Sequence, residues 1–196
     1  MSKFSPWLKQ RSHVLMGIFM AAAVTAIAPP ISHSLAAQLS DGSTVFTSPP
    51  RLVDFFTLEN SAGRKGATYY VTVDLLPEAG EPLETLKVAL IQGRFTRLDY
   101  RTDDIEVFEG DRSDRQDNYP IEFAEYDETS QTLTIRLAQA VPPGERVTFA
   151  LEPVRNPTRG GVYLFEVTAA PAGDNPVFQR IGTGRISIFH DPLPGL

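Results

Sequence analysis

A chain of 196 residues with a net charge of −6 is long enough for one domain with a buried core. It has no cysteine, and its three methionines (Met1, Met16, Met20) and single tryptophan (Trp7) sit at its start. Thiol catalysis, disulfide frameworks and zinc–thiolate centres are therefore excluded, and after His33 only His190 remains for imidazole chemistry.

Lys3, Lys9 and Arg11 give the head a positive charge, and no acid precedes Asp41. Val14 to Ala28 follows as an apolar run, the length of a signal-peptide core and short of the roughly 20 residues of a membrane span. Pro29 and Pro30 end it. Ser34-Leu35-Ala36-Ala37 then offers small residues to a signal peptidase. Residues 1–36 are expected to be a cleavable signal peptide, cut after Ala36 or Ala37, and residues 37–196 one domain. The earlier Ala26-Ile27-Ala28 is blocked by Pro29. Losing three cations and no anions shifts the net charge from −6 to −9. Such a domain repels nucleic acid and anionic lipid, and no later apolar span would hold it in a membrane.

The expected strands are short and separated by Pro and Gly. Thr44–Thr47 comes first, then a Gly/Asn/Ser loop over Leu58–Thr68. Tyr69–Leu75 places Tyr69, Val71, Val73 and Leu75 on one face and Tyr70, Thr72 and Asp74 on the other. Leu86–Ile91 reads as a strand because Gly80 and Pro82 leave no room to start a helix. Phe95–Tyr100, Glu106–Phe108 and Ile121–Tyr126 are further candidates. Thr132–Leu137, Arg146–Leu151, Val162–Val167 and Arg185–Phe189 alternate cleanly, with Pro142-Pro143-Gly144 and Pro171-Ala172-Gly173 as turns. Residues 38–43 and 191–196 read as loose ends. The pattern predicts an all-β fold, an antiparallel β-sandwich, immunoglobulin-like, with a jelly roll as the alternative.

Phe46-Thr47-Ser48-Pro49-Pro50-Arg51-Leu52, Leu76-Pro77-Glu78-Ala79-Gly80-Glu81-Pro82-Leu83 and Val141-Pro142-Pro143-Gly144 stand in order along the chain. Pro153-Val154-Arg155-Asn156-Pro157, Gly161-Val162-Tyr163-Leu164-Phe165, Ala170-Pro171-Ala172-Gly173 and Gly184-Arg185-Ile186 follow them. Together, over Phe46 to His190, they resemble the exported domain-of-unknown-function family DUF2808. The resemblance implies a periplasmic or extracellular protein from a cyanobacterium. It implies no activity and no catalytic residue.

Asp103, Asp104, Asp111, Asp114 and Asp117 crowd one loop and are candidate calcium ligands, since calcium takes six to eight oxygens. Arg112 and Arg115 interleave with them, and a solvated charged loop uses the same residues. The glycine and bidentate glutamate of an EF-hand loop are missing. Arg155, Asn156 and Arg159 would suit a sugar or a carboxylate, or simply a turn. Of the six tyrosines, which can stack on sugar rings, Tyr119 and Tyr126 flank the acidic loop and Tyr70 points away from the Tyr69 face. His190, beside Asp191, lacks the nucleophile motif of a Ser-His-Asp enzyme. Paired carboxylates for a hydrolase remain a distant alternative. The expectation is an exported cell-envelope protein: a non-catalytic binding or structural module without a cofactor, whose partner is an envelope protein or glycan. A calcium- or carbohydrate-binding module using residues 103–117 is the alternative.

Overall fold

Alternation of apolar and polar residues, interrupted every ten residues or so by Pro or Gly, drives the described part of the chain into strands. The computed structural model describes residues 37–38, 41–94 and 98–190, and the expected signal peptide and residues 191–196 lie outside them. In chain order the strands are β1 (Ala37–Gln38), β2 (Thr44–Val45), β3 (Arg51–Thr57), β4 (Tyr69–Asp74), β5 (Leu83–Gln92) and β6 (Glu106–Glu109). They continue as β7 (Ile121–Asp127), β8 (Thr132–Val141), β9 (Arg146–Leu151), β10 (Gly161–Pro171) and β11 (Gln179–Ile188). The helical pieces among the described residues are two 3-10 turns, Pro77–Ala79 and Thr102–Asp104.

Two antiparallel sheets form, one of five strands in the order β11-β10-β5-β8-β7 and one of four in the order β3-β4-β9-β6. This is the all-β immunoglobulin-like sandwich that the pattern predicts. The four-stranded sheet turns Tyr69, Val71, Val73, Val147, Phe149 and Leu151 inward, all fully buried. Leu86, Leu133, Ile135, Phe165 and Val167 meet them from the other sheet, also fully buried. Each large apolar side chain so buried contributes about 1.5–3 kcal/mol, and no cysteine supplements them. Phe55, Tyr69 and Phe165 form the aromatic centre, with Phe55 stacked on Phe165 at 5.0 Å and Tyr69 edge-on to Phe165 at 6.0 Å.

Three departures from expectation have local causes. Strand β3 is absent from the expected set because a bulge between Leu52 and Asp54 shifts its register, so its apolar residues do not alternate. Residues 98–100 do not form the strand expected over Phe95–Tyr100; Tyr100 makes one isolated bridge to Pro153, and residues 95–97 lie outside the described ones. Of the segment 38–43 expected to be loose, Gln38 pairs with Thr44 and Asp41 Oδ1 accepts from the Ser43 amide and hydroxyl, while residues 39–40 lie outside the described ones.

Glycine decides how the two sheets meet along one side. A Cβ on Gly184 would lie 2.2 Å from Cγ of Phe55, and one on Gly182 would lie 2.7 Å from Cβ of Leu52. Strand β11 can therefore lie against β3 only because those positions carry no side chain.

Candidate functional site

The outer face of the four-stranded sheet is the place where the acidic loop returns to the body. Register sets two neighbouring rows across this sheet. Phe56 pairs with Tyr70, Tyr70 with Ala150 and Ala150 with Glu106, giving one row. Asp54, Thr72, Thr148 and Phe108 give the next. The second row is covered beyond Asp54: Thr72 and Thr148 are buried and share a hydroxyl hydrogen bond of 3.0 Å, and Thr148 donates to the Gly110 carbonyl at 2.7 Å. The first row, with Phe56 and Tyr70 half-buried, Ala150 buried and Glu106 exposed, is the floor of a trough.

Loop residues 110–118 form one wall, and their shape is fixed by short-range chemistry. Gly110 adopts φ +86°, and a Cβ there would sit 2.1 Å from the Asp114 carbonyl oxygen, so no other residue fits. Asp111 Oδ1 accepts from the Ser113 amide (2.8 Å), the Ser113 hydroxyl (2.6 Å) and the Asp114 amide (3.0 Å). Those bonds, the Ser113 hydroxyl first, hold its carboxyl below the usual range. Arg115 bonds Glu106 at 2.8 Å and Asn118 at 2.8 Å, and its guanidinium lies 4.5 Å above the Phe108 ring. Arg112 sits 5.8 Å from the Tyr70 ring centroid, and no carboxylate among the described residues pairs with it.

The opposite wall is a second charge network. Arg101 bonds Glu152 and pairs with Asp104 at 2.8 Å, while Thr68 donates to the other oxygen of Glu152 at 2.7 Å. The space between the walls is about 400 Å³. Past Arg112 a more apolar pocket of about 420 Å³ continues over Val53, Phe56 and Leu58. Phe56 and Tyr70 stack at 5.2 Å, so the two pockets share an aromatic floor.

The residues singled out by sequence fall unevenly around this trough. Asp104 and Asp111 belong to its walls, Asp103 lies exposed in the 3-10 turn, and the main chain of Asp117 accepts from the Glu109 amide. Among the described residues no three His, Cys, Asp or Glu side chains gather as a metal centre. Asn156 is not displayed to a ligand but fully buried, donating to the Glu59 (2.7 Å) and Ser61 (3.0 Å) carbonyls and accepting from the Tyr69 hydroxyl at 2.9 Å. Arg155 and Arg159 are exposed beside it. Tyr69 and Tyr163 are core residues, and burial raises the Tyr69 hydroxyl above its usual range. Tyr100 packs edge-on against Tyr126, and Tyr119 bonds Glu145. His190 Nε2 accepts from the Gly160 amide at 3.2 Å. Of the cleavage residues, Ala37 lies in β1 and Ala36 outside the described residues.

Sequence reasoning passed over Arg101, Phe56, Thr68 and Glu152, and valued the acidic loop for its carboxylates instead of its arginines. One signal was legible: Tyr70, Thr72 and Thr148 occupy the outward phase of their strands.

Residues 43–188 match a family described as a protein of unknown function, DUF2808. The chain belongs to the DUF2808 family. No curated protein matches this DUF2808 chain. Among solved structures it is similar to the collagen-binding domain from a Staphylococcus aureus adhesin, at 9% identity and a TM-score of 0.40, over 74% of this chain and 99% of that one. It is also similar to the collagen-binding subdomain of the Enterococcus faecalis surface protein ACE (7% identity, TM-score 0.40, 68% of this chain and 92% of that one). The C-terminal domain of the Streptococcus pyogenes antigen I/II-family protein AspA matches at 15% identity and a TM-score of 0.39, over 69% of this DUF2808 chain and 46% of its own. No helix among the described residues is long and apolar enough to cross a membrane.

Proposed function

We propose that this DUF2808 protein is an exported, non-catalytic binding module of the cell envelope, and that the trough on the outer face of the four-stranded sheet is its binding face. Export rests on the N-terminal pattern: cations, an apolar core, and small residues at Ala36 and Ala37. The binding face rests on one observation. The charged loop folds back as a wall beside an aromatic floor, with Arg115 paired to Glu106 and Arg112 over Tyr70, opposite the Arg101–Asp104 pair. Binding sites combine an apolar surface with a few convergent polar groups, and that is the composition here.

Fractionation of the producing cells, with Edman sequencing of the recovered protein, tests export: the mature N-terminus is expected at Ala37 or Gln38. Recovery from the cytoplasm with Met1 in place refutes it. Capture of envelope components by the tagged protein tests the binding reading, and a screen with ester, glycoside and peptide substrates is expected to show no turnover.

A further inference from the structure

The composition of the trough narrows what it takes, on the reading that it is a binding face. We infer that it binds an uncharged glycan, with one sugar ring lying against the Tyr70 side chain beside Arg112 and the neighbouring hydroxyls bonded to the Arg101–Glu152 and Arg115–Glu106 pairs.

Charge comes first. Arg101, Arg112 and Arg115 face Asp104, Glu106 and Glu152, so the lining carries no net charge. The surrounding domain stands at −9 once the leader is gone, which opposes any polyanion. A polycation would find three guanidiniums in its path. Chemistry comes next. A sugar hydroxyl is both donor and acceptor, and here guanidinium donors alternate with carboxylate acceptors along both walls. Those side chains are already fixed by one another and by Phe108, so little rotamer freedom is lost when a ligand arrives.

Shape distinguishes a glycan from a peptide. The floor is a sheet face whose main-chain groups are spent in the ladders of β3, β4, β9 and β6. The outer edge of β6 is closed as well, by bonds from Gln116 and Tyr119 to the Glu109 and Val107 carbonyls. An extended peptide recognised by strand addition needs such an edge, and β6, the edge beside the charged walls, offers none. What the trough offers is the half-buried ring of Tyr70 in a hollow flanked by the paired charges of both walls. The row from Phe56 to Glu106 crosses three strand spacings, about 14 Å, the reach of a short oligosaccharide.

Saturation-transfer NMR and calorimetry on the purified protein would use maltotriose, cellotriose and chitotriose as probes, trigalacturonate as the acidic counterpart and an acidic peptide as the polypeptide control. At least one neutral trisaccharide is expected to bind. Arg112→Ala, an exposed loop substitution, should weaken it about five- to tenfold. Tyr70→Phe should retain binding and Tyr70→Ala should lose about tenfold, with folding of each variant checked by its melting curve. Lys87→Ala on the outer face of the other sheet should change nothing. Failure of all three neutral probes overturns the inference, as does tighter binding of trigalacturonate or the peptide, or affinity indifferent to both Arg112→Ala and Tyr70→Ala. The wider reading is separable: envelope capture unaffected by Arg112→Ala leaves a binding module with another face, whereas no capture at all removes the module itself.

Discussion

Replacing Asn156 by Ala should be among the most damaging single changes to this fold, although Asn156 lies in a loop. Its amide closes three hydrogen bonds at once: it accepts from the Tyr69 hydroxyl at 2.9 Å and donates to the Glu59 and Ser61 carbonyls at 2.7 and 3.0 Å. Tyr69 is fully buried, so its hydroxyl would be stranded, at a cost of about 1–3 kcal/mol. The two carbonyls belong to a surface loop that water can reach, so they add about 0.5–1 kcal/mol each. The total, about 2–5 kcal/mol, lowers the melting temperature by roughly 5–15 °C in a domain of this size. Urea titration and calorimetry of Asn156→Ala, Tyr69→Phe and the double variant measure it. The double variant should recover about 1–2 kcal/mol relative to additivity, because Tyr69→Phe removes the stranded hydroxyl. A loss below about 1 kcal/mol, or strict additivity, refutes the account of Asn156 as a clamp. A displayed ligand residue would behave in the opposite way, with unchanged stability and lost binding.

Other consequences follow from packing and charge. Gly184→Ala should cost about 1–3 kcal/mol in urea titrations, because its Cβ would collide with Phe55 at 2.2 Å; a neutral result means that β11 and β3 are free to separate. Burial raises the hydroxyls of Tyr69 and Tyr100, so both stay neutral in the fold where unfolded tyrosine ionises near about pH 10. The stability this represents is intact below that pH and is lost as pH rises through the folded values, so unfolding and tyrosinate absorbance should rise together; full titration of all tyrosines with the fold intact contradicts it. Millimolar calcium should leave the melting temperature unchanged, since Asp111 Oδ1 already accepts three hydrogen bonds and no three acids gather among the described residues; a rise that Asp111→Asn abolishes would restore the calcium reading.

The sandwich was legible in the sequence because burial on one face imposes period-two alternation, and strands such as Thr132–Val141 and Arg146–Leu151 obey it. Strand β3 was hidden for the converse reason. Its bulge at Leu52–Asp54 breaks the period, so Phe55 faces the core and Phe56 the trough, whereas a run of adjacent apolar residues announces neither face. Asn156 was misjudged because a buried amide in a Pro- and Arg-rich turn has the composition of an exposed one. Its partners are 87 to 97 residues away and cannot be read from spacing.

The acidic loop teaches the same lesson with the sign reversed. Counting charges along residues 103–117 gives an anionic segment, and that count suggests a cation as its ligand. Folding sorts those charges by what each can touch. Asp111 turns inward on its own loop, Asp104 goes to Arg101 and Glu106 goes to Arg115. With these acids engaged, the loop lays its arginines over aromatic rings, Arg115 on Phe108 and Arg112 on Tyr70. Guanidinium tolerates such placement because it is planar and weakly hydrated, whereas a carboxylate on the same ring face would be repelled by its quadrupole. The character of the site therefore follows from which charges can lie over the aromatic rings of the sheet, and that selects the residues a count of net charge would treat as interference.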